Sequence, residues 1–250
     1  MFELLLIIVV LLLLHFVIGK YPEPLPRSEN PRREIWETLG LWGLIVLATT
    51  IAVFVTPLEL IIDKTVVSEL LGNLALFPFW VLIPLLYVTR VNKWTAKDMG
   101  FTKPRSLFVF IFALLLFGYA GTEPLFLNPG REPMSFAFIL SALYQPAFTE
   151  EFLFRGIIQG KLEKALGQNK AWFYSGILFG LAHASTNFFG VYWYRGGADI
   201  GNAIGMLIMQ TLSGWIFGII YMKSRSLLPG FLAHFFTDWR LGSIIKLLFF

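Results

Sequence analysis

The chain has 250 residues, of which 56% are hydrophobic and only 14% are charged. Its mean hydropathy of +0.69 is well above that of an ordinary soluble domain, so the composition predicts a membrane protein in contact with lipid. Cysteine is absent, which excludes structural disulfides, iron–sulfur clusters and thiol catalysis. The net charge of +4 comes from dispersed Lys and Arg residues, and we therefore expect no nucleic-acid partner.

Apolar stretches that could each span a bilayer, at about 20 residues per span, occur at about eight places. They predict a single transmembrane domain over residues 1–250, built as an all-α polytopic helix bundle with about eight transmembrane helices. The first stretch is interpreted as a true helix, because Glu3 stands where a signal peptide would be basic. We place the spans at residues 2–19, 36–56, 71–90, 106–121, 136–160, 170–187, 201–222 and 228–248.

Lys and Arg residues are unevenly distributed among the connections between these spans. Most lie in the first, third, fifth and seventh connections, and few lie in the other three. The positive-inside rule therefore predicts that the odd-numbered connections face the cytoplasm and that the N- and C-termini lie outside. The third connection, residues 92–105, also carries Trp94, Met99 and Phe101, and is interpreted either as lying along the membrane surface or as a solvated loop.

Three charged residues, Glu150, Glu151 and Arg155, interrupt the fifth apolar stretch. Charges inside a bilayer are costly, so they usually face a protein interior, pair with one another or do chemistry. Glu151 and Arg155 are four residues apart and share a helix face, which predicts an ion pair. Glu150 points about 100° away from that face, and is left free to act as a general base on water. In the alternative interpretation, both glutamates only brace neighbouring helices.

Two later apolar stretches place polar residues at a comparable depth. Phe179 precedes His183 by about one helical turn and His234 precedes Asp238 by the same spacing, so each pair is predicted to share a helix face. At about 1.5 Å per residue, Glu150, His183 and His234 fall in or near the cytoplasmic halves of three different helices. A single site that is open to the cytoplasm explains this coincidence.

In order and spacing, these residues resemble the motifs of the CPBP family of intramembrane proteases, which includes the CAAX prenyl-protein endopeptidases and the bacterial Abi-type proteins. The resemblance is strongest from about Ser141 to Asp238, within a motif-bearing catalytic core of about residues 136–248. In the prenyl-protein proteases the last motif often ends in Asn, so the Asp at 238 weakens any transfer of substrate preference. The matching patterns are Glu150-Glu151-x-x-x-Arg155, Phe179-x-x-x-His183 and His234-x-x-x-Asp238.

The resemblance implies an intramembrane endopeptidase of a prokaryotic cell membrane, which hydrolyses a peptide bond near the C-terminus of a membrane-anchored substrate, prenylated or not. Membrane lipid and the anchored peptide or protein are then the expected partners. It also implies that Glu150 and His183 activate water, while His234 and Asp238 stabilise the oxyanion. Structural support of the site is assigned to Glu151, Arg155 and Phe179.

Two alternatives stay open. Side chains of the types found at Glu150, His183, His234 and Asp238 also bind Zn²⁺, which would activate water as well, and the family has been described both as metalloprotease and as glutamate protease. We favour water activation with no obligatory cofactor. Deep Glu, His and Asp residues also occur in transporters, and some family members are associated with bacteriocin immunity or scaffolding. A non-proteolytic membrane protein is therefore the second hypothesis.

Overall fold

The computed structural model of the protein describes residues 2–55, 66–128, 130–189, 200–237 and 240–249. Within these ranges the regular secondary structure is helical and no strand occurs, which confirms the all-α class. Short π-helical segments continue several of the α-helices, at Leu13–Val17, Pro78–Leu82, Leu143–Phe148 and Glu151–Gln159. The α-helices are α1 (Phe2–Leu12), α2 (Pro31–Val55), α3 (Val66–Phe77), α4 (Ile83–Arg90), α5 (Leu107–Leu127), α6 (Phe136–Ala142), α7 (Gly160–Leu166), α8 (Gln168–Ala182), α9 (Ala184–Phe189), α10 (Ile200–Ser224), α11 (Leu227–Phe236) and α12 (Arg240–Phe249).

Several of these helices are suited to a bilayer. Among the described residues, four helical stretches are both long and apolar enough to cross a membrane: Pro31–Val55, Leu71–Arg90, Leu107–Leu127 and Ile200–Ser224. The apolar helices at Leu5–Val17 and Leu227–Phe236 are shorter. Many large apolar side chains of these helices are exposed on the outside of the bundle, as contact with lipid requires. The count of about eight transmembrane helices stays a prediction.

Two predicted spans are wrong as continuous helices. The span at 228–248 is interrupted because α11 ends at Phe236 and Thr237 is extended, with ψ of 176°. The span at 170–187 is interrupted at His183, which caps the C-terminal end of α8 before α9 begins. The fifth span also has a kink: Gln145 is extended (φ −121°, ψ 121°), as expected for a residue that precedes proline. Beyond the kink, helical structure continues to Leu166.

The four basic connections meet at one end of the bundle. The backbone amide of Ser28, in the first connection, donates to the carbonyl of Lys164 in the fifth, over 3.0 Å. The amide of Arg105, in the third connection, donates to the carbonyl of Ser224 at the seventh, over 2.7 Å. The structure therefore places together the connections that the charge distribution assigns to one side of the membrane.

The third connection, residues 92–105, buries two of its apolar side chains in the bundle, and both interpretations of its position stay predictions. Trp94 and Met99 are only 6% and 4% exposed and belong to the main hydrophobic core. The Lys164 ammonium lies 4.4 Å from a ring centroid of Trp94, within the range of a cation–π contact. The connection is thus packed onto the bundle through Trp94 and Met99, whereas Phe101 is 47% exposed.

Helices α8 and α10 approach each other closely through glycine. A Cβ atom added at Gly214 would lie 2.8 Å from the Cα atom of Gly176, and one added at Gly180 would collide with Thr211 of α10. Gly176 and Gly180 therefore permit the close approach of α10. The close packing matters for the site, because α8 ends at His183 and α10 contributes Phe217 to its surroundings.

Candidate active site

The segment that carries Glu150 is the most deeply buried part of the chain that the structure describes. All nine residues of Glu151–Gln159 are buried, and Glu150 itself is only 5% exposed. The kink at Gln145 changes the direction of the chain just before this segment. The hydroxyl of Thr149 donates a hydrogen bond to the side-chain oxygen of Gln145. The carboxylate of Glu150 is thereby fixed in the interior of the bundle.

The Glu150 carboxylate faces the two histidines that the motifs single out. Its Oε1 lies 3.7 Å from His183 Nε2, and its Oε2 lies 3.7 Å from His234 Nε2. These separations are too long for direct hydrogen bonds but suit a polar group held between the partners. The structure therefore brings together three residues from separate helical segments, as expected from their comparable depths in the predicted helices.

His183 is held by a hydrogen bond at the end of α8. Its Nδ1 lies 2.8 Å from the backbone carbonyl oxygen of Phe179. A carbonyl oxygen can only accept, so Nδ1 must donate this hydrogen bond, and in the neutral imidazole Nε2 then presents its lone pair. This lone pair points towards the side of the ring where Glu150 lies. Since 21% of the His183 side chain is exposed, its imidazole is accessible from outside the protein core.

His234 lies between two carboxylates. Besides the approach of Nε2 to Glu150, its Nδ1 lies 3.5 Å from Glu151 Oε1. Its helix α11 ends at Phe236 and the chain is extended at Thr237, and the pairing of His234 with Asp238 stays a prediction. Asp238 itself lies outside the described residues.

Glu151 and Arg155 form a buried ion pair, with Glu151 Oε1 and Arg155 Nη2 separated by 3.5 Å. The two side chains are 1% and 0% exposed. The Arg155 guanidinium carbon also lies 4.6 Å from the ring centroid of Phe179 and 5.4 Å from that of Phe217. Desolvated cation–π contacts of this kind contribute on the order of 2 kcal/mol, so the arginine is stabilised by two rings as well as by the carboxylate.

The charges of this cluster nearly cancel. With both glutamates ionised, Glu150, Glu151 and Arg155 together carry one net negative charge, and one additional proton shared by Glu150 and the two imidazoles makes the cluster neutral. An uncompensated charge in such a buried place is strongly unfavourable. The arrangement is therefore suited to hold one proton that moves between a carboxylate and an imidazole, as acid–base chemistry requires.

Two contacts of the site were not predicted from the sequence. Phe217 of α10 lies outside every motif, yet its ring stacks on that of His234 with a centroid distance of 4.9 Å. Arg240, for which the sequence suggests no role, donates from Nη1 to the backbone carbonyl of His234 over 3.1 Å. Phe217 carries no sequence signal, because a buried phenylalanine in an apolar helix has the composition of any core position.

A cavity of about 510 Å³ adjoins the site at Glu151. Its lining is mainly apolar and includes Phe148, Phe152 and Phe231. Phe148 and Phe152 stack with a centroid distance of 5.6 Å. The cavity thus places an apolar surface beside the polar cluster.

The described side chains do not form a metal centre. Within the ranges that the structure covers, no group of three His, Cys, Asp or Glu residues is arranged to hold a metal ion. Glu150, His183 and His234 supply suitable donor atoms, but Asp238, the fourth ligand of the zinc hypothesis, is not among the described residues.

Comparison with known proteins agrees with the motifs. Residues 132–240 match the family model described as type II CAAX prenyl endopeptidase, Rce1-like. Neither the curated proteins nor the solved structures gave a significant match. The matched segment contains Glu150, His183 and His234, and the Rce1-like family is a family of peptidases. Residues 132–240 of this membrane protein are thus similar to the Rce1-like type II CAAX prenyl endopeptidase family, which confirms the resemblance seen in the sequence.

Proposed function

We propose that this protein is an intramembrane endopeptidase in which Glu150 and His183 activate the attacking water. The observation that carries the proposal is the approach of Glu150 Oε1 to His183 Nε2 over 3.7 Å. A water molecule at hydrogen-bond distance from both atoms fits between them, since each such bond spans about 2.8 Å. Glu150 is thus placed to act as a general base, with His183 orienting the water and sharing its proton.

The proposed reaction is ordinary peptide hydrolysis. The water oxygen attacks the carbonyl carbon of the scissile bond while one of its protons passes to Glu150, and a tetrahedral oxyanion forms. The C–N bond then breaks, and the proton held by Glu150 passes to the leaving amine nitrogen. His234 stabilises the oxyanion by donating a hydrogen bond from Nε2, which faces the same carboxylate. Preorganised donors of this kind lower such barriers by several kcal/mol.

The second oxyanion ligand that the family resemblance implies is Asp238. A carboxyl group can donate a hydrogen bond to an oxyanion only while it is protonated. We propose that Asp238 serves in that form, or that it acts through His234. The test is Asp238→Asn, which carries a permanent donor: hydrolysis is retained or increased if residue 238 donates directly.

The proposed substrate is a protein or peptide anchored in the membrane and cleaved near its C-terminus, with or without a prenyl group. The apolar cavity beside Glu151 supports this choice, because Phe148 and Phe152 would contact the apolar part of such a substrate while the polar cluster holds the peptide bond. The four basic connections at one end of the bundle support a cytoplasmic location of that end. Both termini would then lie outside.

Comparative proteomics of membrane-protein C-termini tests the proposal in cells. Strains that carry wild type or Glu150→Gln differ by one isosteric change, so an uncleaved C-terminus that accumulates only in the Glu150→Gln strain identifies a substrate. Glu123→Gln provides a matched control, because Glu123 is exposed on α5. If the Glu150→Gln strain accumulates no uncleaved species but loses flux of a solute or of protons, the protein is a transporter.

A further inference from the structure

The two histidines of the site differ in what fixes their rings. His183 is anchored by the hydrogen bond from Nδ1 to the Phe179 carbonyl. His234 has no comparable anchor: within the described parts of the chain, no hydrogen bond reaches its Nδ1, and its Nε2 is 3.7 Å from Glu150. The orientation of the His234 imidazole must therefore come mainly from packing.

An aromatic stack supplies that packing. The ring of Phe217 lies nearly parallel to the His234 ring, with a centroid distance of 4.9 Å and an interplanar angle of 22°. Phe217 also stacks with Phe117 of α5, with a centroid distance of 4.8 Å and an interplanar angle of 18°. Phe217 is only 3% exposed, so the ring has no free space into which it could swing.

The position of Phe217 couples this stack to the rest of the site. Its ring also approaches the Arg155 guanidinium carbon, at 5.4 Å, and Arg155 pairs with the Glu151 carboxylate that faces His234 Nδ1. A rotation of the imidazole away from the face of Phe217 would separate Nε2 from Glu150 and Nδ1 from Glu151 together. Flat packing against Phe217 therefore maintains both distances, from Nε2 to Glu150 and from Nδ1 to Glu151.

We propose that Phe217 is a positioning residue that holds the imidazole plane of His234, so that Nε2 faces Glu150 and Nδ1 faces Glu151. The catalytic consequence rests on the proposed function, whereas the orientation of the ring does not. Phe217 acts through His234 and need not touch the substrate. Its loss is therefore expected to lower kcat and to leave KM nearly unchanged.

Two substitutions distinguish the effect of the flat aromatic ring from the effect of side-chain volume. Phe217→Met keeps an apolar side chain of similar size but removes the flat face, whereas Phe217→Tyr keeps the face. We expect kcat of Phe217→Met to fall roughly tenfold to a hundredfold, since a misplacement of about 1 Å can cost that much. Phe217→Tyr is expected to retain most of the activity. Ile220→Ala is the control, because Ile220 is equally buried on α10 and its truncation destabilises the same helix.

NMR of histidine-labelled protein measures ring orientation without any activity. The chain has three histidines, and His234→Gln assigns the His234 signals by their disappearance. The imidazole ¹⁵N shifts respond mainly to hydrogen bonds and nearby charges and little to ring currents, so Phe217→Met should change the His234 ¹⁵N shifts as Nε2 and Nδ1 leave Glu150 and Glu151, while Phe217→Tyr and Ile220→Ala should retain them.

The two readouts can each overturn the proposal. Unchanged His234 ¹⁵N shifts in Phe217→Met would show that the ring is oriented by something else. A kcat of Phe217→Met that falls no further than that of Ile220→Ala would show that Phe217 contributes only to stability. If wild type hydrolyses no peptide, the proposed function fails, and the NMR comparison alone still decides whether Phe217 orients His234.

Discussion

The buried Glu151–Arg155 pair gives a quantitative prediction about stability. At the observed separation of 3.5 Å, the Coulomb attraction is about 5 kcal/mol for an effective dielectric constant of about 20. Most of this attraction is offset by the cost of removing both charges from water. Arg155→Met alone leaves the Glu151 carboxylate buried without its cation, which should lower the free energy of unfolding by about 3–5 kcal/mol.

A double-mutant cycle with Glu151→Gln isolates the interaction. The double variant has no unpaired charge at these two positions, so it should be more stable than the sum of the single changes implies, with a coupling energy of about 2 kcal/mol or more. Thermal unfolding in detergent measures this, since about 2–4 °C of Tm corresponds to 1 kcal/mol for a chain of this size. Arg155→Met should thus lower Tm by about 6–20 °C.

The control pair is Arg33 with Glu37, whose atoms are closer, at 2.6 Å, but whose arginine side chain is 56% exposed. Arg33→Met should change Tm little, because solvent screens exposed ion pairs. Additive effects of Arg155→Met and Glu151→Gln, to within about 0.5 kcal/mol, would refute the interpretation of the buried pair as a coupled structural unit.

Three further predictions concern the surroundings of the site. Gly230→Ala should reduce kcat on the order of tenfold, because a Cβ atom there would collide with the Glu151 carboxylate. Gly43→Ala is the control and should have wild-type activity, since nothing lies within 4 Å of an added Cβ atom. Lys223→Met should lower Tm and increase amide hydrogen exchange near the end of α1, because the Lys223 ammonium donates to four backbone carbonyls, two of them at Ile18 and Gly19 over 2.9 Å. Exhaustive chelation of purified enzyme should leave hydrolysis unchanged; activity that chelation abolishes and zinc restores would favour the metal mechanism.

The sequence predicted that Glu150, His183 and His234 lie together, and the structure places each histidine 3.7 Å from Glu150. Charges are rare in a bilayer, so Glu150, His183 and His234 stand out against an apolar background, and helical rise converts their sequence positions into depths. The spacing of four residues likewise placed Glu151 beside Arg155, as the 3.5 Å separation shows. These arguments need only local geometry and the energetics of burial.

The features that the sequence did not reveal depend on tertiary packing or on local breaks in the helices. The apolar run through residue 236 gives no indication that α11 ends there and that Thr237 is extended. The burial of Trp94 depends on contacts with residues distant in the chain, such as Lys164. Phe217 likewise acquires its significance only from the approach of α10 to α11.

The central claim is that Glu150 activates water for peptide hydrolysis, and single-turnover cleavage by purified protein tests it most directly. The substrate is a membrane-anchored peptide, ideally one identified by the C-terminal proteomics, in lipid nanodiscs. Glu150→Gln should reduce the rate by about 10²–10⁴-fold, the usual contribution of a general base, while its Tm stays near that of wild type. A folded Glu150→Gln protein that cleaves the peptide at the wild-type rate would contradict the claim.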